Sequence, residues 1–190
     1  MAYKAVTQPI QSRRSFIGRA AAAGASVAAG SLAGCSAESG QSRHLVFATL
    51  DQAMRETDRL IKIADLEPET DWSLPQTLVH CAQSIEFSLG GFPEMKSALF
   101  QSTVGSLAFK VFEWRGHMTH DLAEPIPGAP SIADQSDLNA AVTRVQKAVA
   151  DFRAASGELK PHFAYGELSK AQYELAHAMH FANHYSAIKA

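Results

Sequence analysis

Three of the eight histidines in this 190-residue chain fall in one stretch, SKAQYELAHAMHFANHYSAI, at residues 169–188. Neutral imidazole is a common nitrogen donor to zinc and related ions. His177, His180 and His184 are spaced by three and four residues, which on a 3.6-residue turn puts the three rings on one helical stripe. Two imidazoles one turn apart can grip one ion. An HxxxH pair alone is a short pattern, and without the glutamate of HExxH it is more often exposed or hydrogen-bonded histidine than a ligand pair. A third donor on a facing helix changes that balance, because a catalytic-type zinc centre takes three protein ligands and keeps one position for water. His80 is the candidate third donor.

The elements that must position these rings are helices. Ser169 with Gln172 and Ser73 with Gln76 both have capping-box spacing, which satisfies backbone donors at a helix start. One helix therefore begins near Ser169. Another runs from Ser73 to Gly90-Gly91, with Pro75 in its first turn and Leu74, Leu78, Cys81, Ile85 and Leu89 as its apolar stripe. His80 lies beside that stripe, on the face of Gln76, Ser84 and Phe87. A first helix is expected over residues 49–64, a third over 93–114 with Gly105 weakening its middle, and a fourth from a cap at Asp134, Ser136 or Asp137 to about Ala155. Residues 115–130 read as a long irregular connection, where His117 and His120 are expected as solvated loop residues, with a place over a pocket mouth as the less favoured alternative. No stretch alternates with the period of a strand. A bundle that faces the second helix to the last brings His80 to the His180–His184 pair.

The first 34 residues hold Lys4, Arg13, Arg14 and Arg19, no acid, and a weakly apolar run from Ala20 to Gly34. They read as an export signal, too short and small-sided for a stable membrane span. The segment SRRSFIGR resembles the twin-arginine signal, through Ser12, Arg13, Arg14, Phe16 and Ile17, and Leu32-Ala33-Gly34-Cys35 resembles a lipoprotein lipobox. An unlipidated leader is the alternative. The expected organisation is a leader over 1–34 and a flexible tether over 35–43, followed by a helical domain over 44–190. Beyond the leader remain 156 residues, one domain's worth, with 13 Lys and Arg against 19 Asp and Glu, a formal charge of −6. That acidity argues against nucleic-acid binding. Cys81 is then the one thiol besides Cys35, so no internal disulfide is expected within the domain, and a small buried hydrophobe is its expected role.

With the second and last helices placed, the chain resembles the DinB-like superfamily of metal-dependent four-helix bundles. DWSLPQTLVHCAQS, with Trp72 and His80, and HFANHYSAI carry the likeness; PHFAYGELSKAQY resembles an uncharacterised branch, a domain of unknown function. The resemblance implies an all-α four-helix bundle over roughly residues 46–188 and metal ligands at His80, His180 and His184. It gives His177 no ligand role, leaving it as a pocket-lining hydrogen-bond partner or a packed side chain. Its thiol-transferase branches act on cytoplasmic thiols, which an exported chain would not meet.

Two functions follow as expectations. In one, the three histidines hold a divalent ion, zinc first, with nickel, iron and manganese as alternatives, for hydrolysis or thiol transfer on a small-molecule substrate. Glu86 and Glu174 are candidate bases there, although solvated helix-face roles suit both better. In the other, the protein is a non-catalytic envelope lipoprotein whose site is structural or vestigial, with Phe181 and Tyr185 filling the pocket. The expected partners are the twin-arginine export machinery, membrane lipid through Cys35, and a second copy of the chain in a homodimer.

Overall fold

The computed structural model describes residues 43–64, 66–68, 70–134 and 136–190. Arg13, Arg14 and Cys35 lie outside them. The elements are α1 (Leu50–Leu60), β1 (Glu67–Pro68), α2 (Leu74–Gly90), α3 (Ala98–Phe100), a π-helical segment (Gln101–Gly105), α4 (Ser106–Arg115), α5 (Leu138–Ala154), α6 (Lys170–Ser186) and β2 (Ile188–Lys189). The fold is all-α apart from one clasp, in which β1 and β2 pair antiparallel with Pro68 opposite Ile188. None of the described helices is long and apolar enough to cross a membrane.

Each long helix starts where its side chains can answer the free backbone donors. Thr49, Ser73 and Ser169 close capping boxes with Gln52, Gln76 and Gln172, and the Asp137 carboxylate accepts from the Ala140 amide at 2.7 Å. The four capped helices α1, α2, α5 and α6 pack on one another, α2 lying against both α5 and α6 and α1 against α6. Their shared core contains Leu50, Leu78, Cys81, Ile85, Val145, Phe152, Phe181 and Tyr185, all 0–1 % exposed. The free thiol of Cys81 is buried there, where burial pushes its ionisation far above the ordinary range. A buried polar contact ties α1 to α6 in this core, between Thr57 Oγ1 and the Tyr185 hydroxyl at 2.6 Å.

α4 and the turns before it differ from the expected regular helix. A Cβ on Gly105 would come within 1.8 Å of the Ala164 carbonyl oxygen, so the backbone of residues 161–167 rides directly on the glycine. The π-helical widening at Gln101–Gly105 accommodates that approach. Inward from it, Phe109 packs with Met118, Ala176, Met179 and Tyr165 in a second, smaller core. Gly116, in the left-handed conformation at φ 72°, then ends α4 by donating its amide to the Phe112 carbonyl.

Candidate metal centre

α2 and α6 face each other with His80 on one and His180 and His184 on the other. One ring nitrogen of each lies within 4.8 Å of one from both others, and the ring centroids are 4.8–4.9 Å apart. His180 Nε2 and His184 Nε2 stand 3.0 Å apart. That is a hydrogen-bond distance; two nitrogens each about 2.0–2.1 Å from a tetrahedral zinc would be separated by about 3.3–3.4 Å, so the pair would open by a few tenths of an ångström to share an ion. His80 and His184 are buried, and His180 is half-buried. Among the described residues, His80 Nδ1 is the buried side-chain nitrogen or oxygen left with no hydrogen-bond partner. A buried polar atom without a partner costs stability unless a water or an ion answers it.

The surroundings keep all three rings neutral. Burial, reinforced by the His120 ring, lowers His80 to about 3. Burial first, and then the neighbouring imidazoles, hold His180 and His184 well below the usual histidine range. Neutral imidazole is the form that binds a metal. The Trp72 indole, half-buried just ahead of α2, lies 4.8 Å from the His80 ring and stacks at 14° to His184. It covers one side of the cluster.

His120 takes the less favoured of its two expected places, half-buried at the cavity and not solvated on a free loop. Its ring lies 4.9 Å from His180 and 5.1 Å from His184. The loop carrying it is pinned to the bundle, because Asn183 Nδ2 donates to the His120 carbonyl and Gln83 Nε2 to that of Pro130, while Met118 and Ile126 are buried beneath it. His120 Nδ1 stands 2.7 Å from the Asp121 carbonyl. That contact requires the proton on Nδ1 and leaves Nε2 with a free lone pair. The spacing of residues gave no sign of this. The available signal was the loop itself, since a long irregular connection in a compact domain is usually functional. His117 stays apart, its Nδ1 on the Arg115 carbonyl.

His177 lies one turn before His180 and outside the donor set. Its Nε2 is 3.3 Å from Ser88 Oγ and its Nδ1 3.5 Å from Ser84 Oγ, and its ring is packed between Phe152 and Tyr173. His162 is similarly answered, its Nδ1 accepting from the Ala164 and Tyr165 amides while Tyr165 stacks on it at 4.1 Å.

A cavity of about 300 Å³ opens beside the cluster. His80, His120 and His180 form one end and His162, His177 and Tyr165 the other, with Lys96, Asp121 and Glu124 on the exposed rim. Phe181 and Tyr185 belong to the bundle core and do not fill it. Glu86 is paired with Arg144 on the outside of the bundle, and neither it nor Glu174 lines the cavity.

Residues 39–190, which include every member of this cluster, match the family model described as Protein of unknown function (DUF1569). The chain belongs to the DUF1569 family. Neither the search of curated proteins nor that of solved structures returned a match for it. What the DUF1569 domain offers chemically is thus read from its own side chains: three neutral imidazoles that could hold a metal ion, one buried nitrogen lacking a partner, and a fourth imidazole at the edge of an open cavity.

Proposed function

We propose that this DUF1569 protein is a metal-dependent enzyme of the DinB-like bundle type, a hydrolase or a thiol transferase, in which His80, His180 and His184 hold one divalent ion. Zinc is the first choice and nickel, iron or manganese the alternatives. The observation that carries the reading is the convergence of three neutral rings, one of which has a buried nitrogen without a partner, with solvent-accessible space beside them. Donors closed in by the protein on every side would suit a structural ion; an open side suits catalysis. A divalent ion held by three uncharged ligands keeps its full double charge and supplies Lewis acidity to a water or thiol in the cavity. His120 Nε2, with its lone pair free and its ring fixed through Asp121, is placed to take the proton given up there. Trp72 excludes water from the opposite side of the donors. The apolar wall, with Met118, Ile126 and Tyr165, takes the body of a small substrate. The leader motifs support a location in the cell envelope, with export through the twin-arginine route and a lipid anchor on Cys35.

One observation favours a second reading. His120 is close enough to His180 and His184 for a small loop movement to make it a fourth ligand, and four imidazoles would close the site into a structural one. Elemental analysis of untagged protein separates these readings from a site that binds nothing. One equivalent of divalent metal is expected, and it disappears when His180 and His184 are both changed to Ala. Full occupancy in that double variant sinks the assignment. With His120→Ala, the catalytic reading expects the metal to stay, and the structural reading expects it to leave.

A further inference from the structure

The turn that leads into α6 is tied down along its length. The Lys160 amide donates to the Ser88 carbonyl on α2, and the Tyr173 hydroxyl on α6 donates to the Lys160 carbonyl. His162 and Gly166 exchange both of their backbone hydrogen bonds. The Phe163 carbonyl accepts from the Lys96 amide and from Gln101 Nε2, and the Ala164 carbonyl is the one that rides on Gly105. The π-helical widening beneath it is of a kind often found beside functional sites.

This rigid turn holds out one ring. His162 Nδ1 accepts from the Ala164 and Tyr165 amides at 3.1 and 3.2 Å, so the proton of the neutral ring sits on Nε2. With its lone pair taken, His162 is no metal ligand; it is a hydrogen-bond donor. Tyr165 stacks on the ring at 4.1 Å, and Phe163 and Phe92 pack at 4.6 and 5.0 Å, leaving the residue 9 % exposed. Among the described residues nothing accepts from Nε2, and the atom is not sealed from solvent. The ring lines the cavity, and the N–H opens there.

Charge decides what such a donor can take. Within the cavity the polar side chains are histidines, Ser84 and Tyr165. Burial keeps them uncharged, lowering His162 and His177 to about 3 and raising Tyr165 to about 12. Charged groups are confined to the exposed rim, where Asp121 and Glu124 outnumber Lys96. A carboxylate would give up its hydration for a neutral donor and pass an acidic rim; a carbonyl gives up less and gains a directed hydrogen bond. Met118, Ile126, Phe163 and Tyr165 suit a flat apolar body beside it.

We infer that the cavity holds a second subsite, in which His162 Nε2 donates to the carbonyl oxygen of an uncharged, apolar amide or ester lying against Phe163 and Tyr165. As a statement about the substrate of the metal centre this rests on the metal-dependent reading. The subsite itself does not, because none of the hydrogen bonds that build it involves His80, His120, His180 or His184.

Benzamide and benzoate differ in charge but hardly in shape. Titrated into the metal-free full chain, where no ion draws the carboxylate, benzamide is expected to bind at least about tenfold more tightly than benzoate. In protein labelled with nitrogen-15 histidine, the His162 signals are expected to show the Nε2–H tautomer at pH 7, and its Nε2 resonance to move as benzamide is added. His162→Asn keeps an oxygen able to accept from the turn amides but has no N–H that reaches the place of Nε2. It is expected to fold and to weaken benzamide about tenfold, and His162→Gln, whose amide does reach, to recover part of the loss. Equal affinity for benzoate, an unmoved His162 resonance at high benzamide, or parent-like affinity in folded His162→Asn each overturns the subsite; the first two stand even where the Asn variant misfolds. A chain that binds benzamide in this way but takes up no metal refutes the metal centre alone, and one that takes up metal but not benzamide refutes the subsite alone.

Discussion

Two groups of histidines pack beside one cavity, and the same forces keep both uncharged. Toward an ion, His162 and His177 are finished structure. Backbone amides answer the one and serine hydroxyls the other, and aromatic rings pack against both. His80 and His184 are as buried and His180 half-buried, yet ring nitrogens of the three lie close together and His80 Nδ1 has no hydrogen-bond partner. Burial alone therefore says little about what a histidine is for. What separates a packed ring from a ligand is whether the protein supplies the hydrogen bonds that the ring has given up in water.

The sharpest way to break this contrast is to remove donors from each group. His180→Ala with His184→Ala is expected to abolish metal binding and with it the stabilisation that the ion confers. At a free ion concentration about a thousandfold above Kd that stabilisation is about 4 kcal/mol, or roughly 10 °C in Tm, read by melting with and without added zinc. His177→Ala is expected to do the reverse. It leaves metal stoichiometry unchanged but costs about 3 kcal/mol in urea unfolding, through a cavity and two hydroxyls that lose a partner. Loss of the ion in that variant would erase the distinction between the groups.

Acid tests both groups at once. His162 and His177 are lowered to about 3 in the fold, by burial in each case, and titrate near 6.5 when unfolded. Between these values the unfolded chain binds more protons. Stability is thus unaffected above about pH 6.5 and falls as the pH drops toward 3, by roughly 2 kcal/mol per ring at pH 5. Urea titrations of metal-free protein from pH 7.5 to 5 check the slope, and His177→Gln, which removes one titrating ring, should flatten it. With metal bound, ion release is expected to accompany the same acid loss, because protons compete for the donors.

Smaller effects sharpen the comparison. His120→Ala is expected to weaken metal affinity about tenfold while preserving one equivalent at saturation, as measured by competition with a chromogenic chelator. Ser169→Ala removes the oxygen that accepts from the Gln172 amide and should cost about 1 kcal/mol. Its metal content should match the parent's; an altered content would mean that α6 is positioned by its cap more than by core contacts such as Thr57–Tyr185.

The helices and the donor set were legible because both rest on local rules. Capping residues lie three positions apart, and His180 and His184 share a face wherever the stretch is helical. His80 needed one further step, the facing of two apolar stripes. His120 was hidden because its place depends on a loop held by Asn183 and Gln83, contacts between residues dozens of positions apart that no periodicity encodes. The apolar residues between Ala98 and Arg115 show a related limit. Apolar spacing marks a face that wants covering but not what covers it, and here the inward face is set by Gly105 and Phe109 while Leu99, Val104 and Leu107 point out. The two-residue clasp at Pro68 and Ile188 was too short to register as a strand.

The donors come from opposite ends of the domain, His80 and His180 standing one hundred positions apart. A ribosome needs roughly 5–20 s to cover that distance, and throughout it His80 has emerged while its partners have not been made. Capture of the proposed ion would therefore come among the last events in this protein's biogenesis. A chain stalled or cut before residue 180 would carry most of the bundle's apolar sequence and only one of the three clustered histidines.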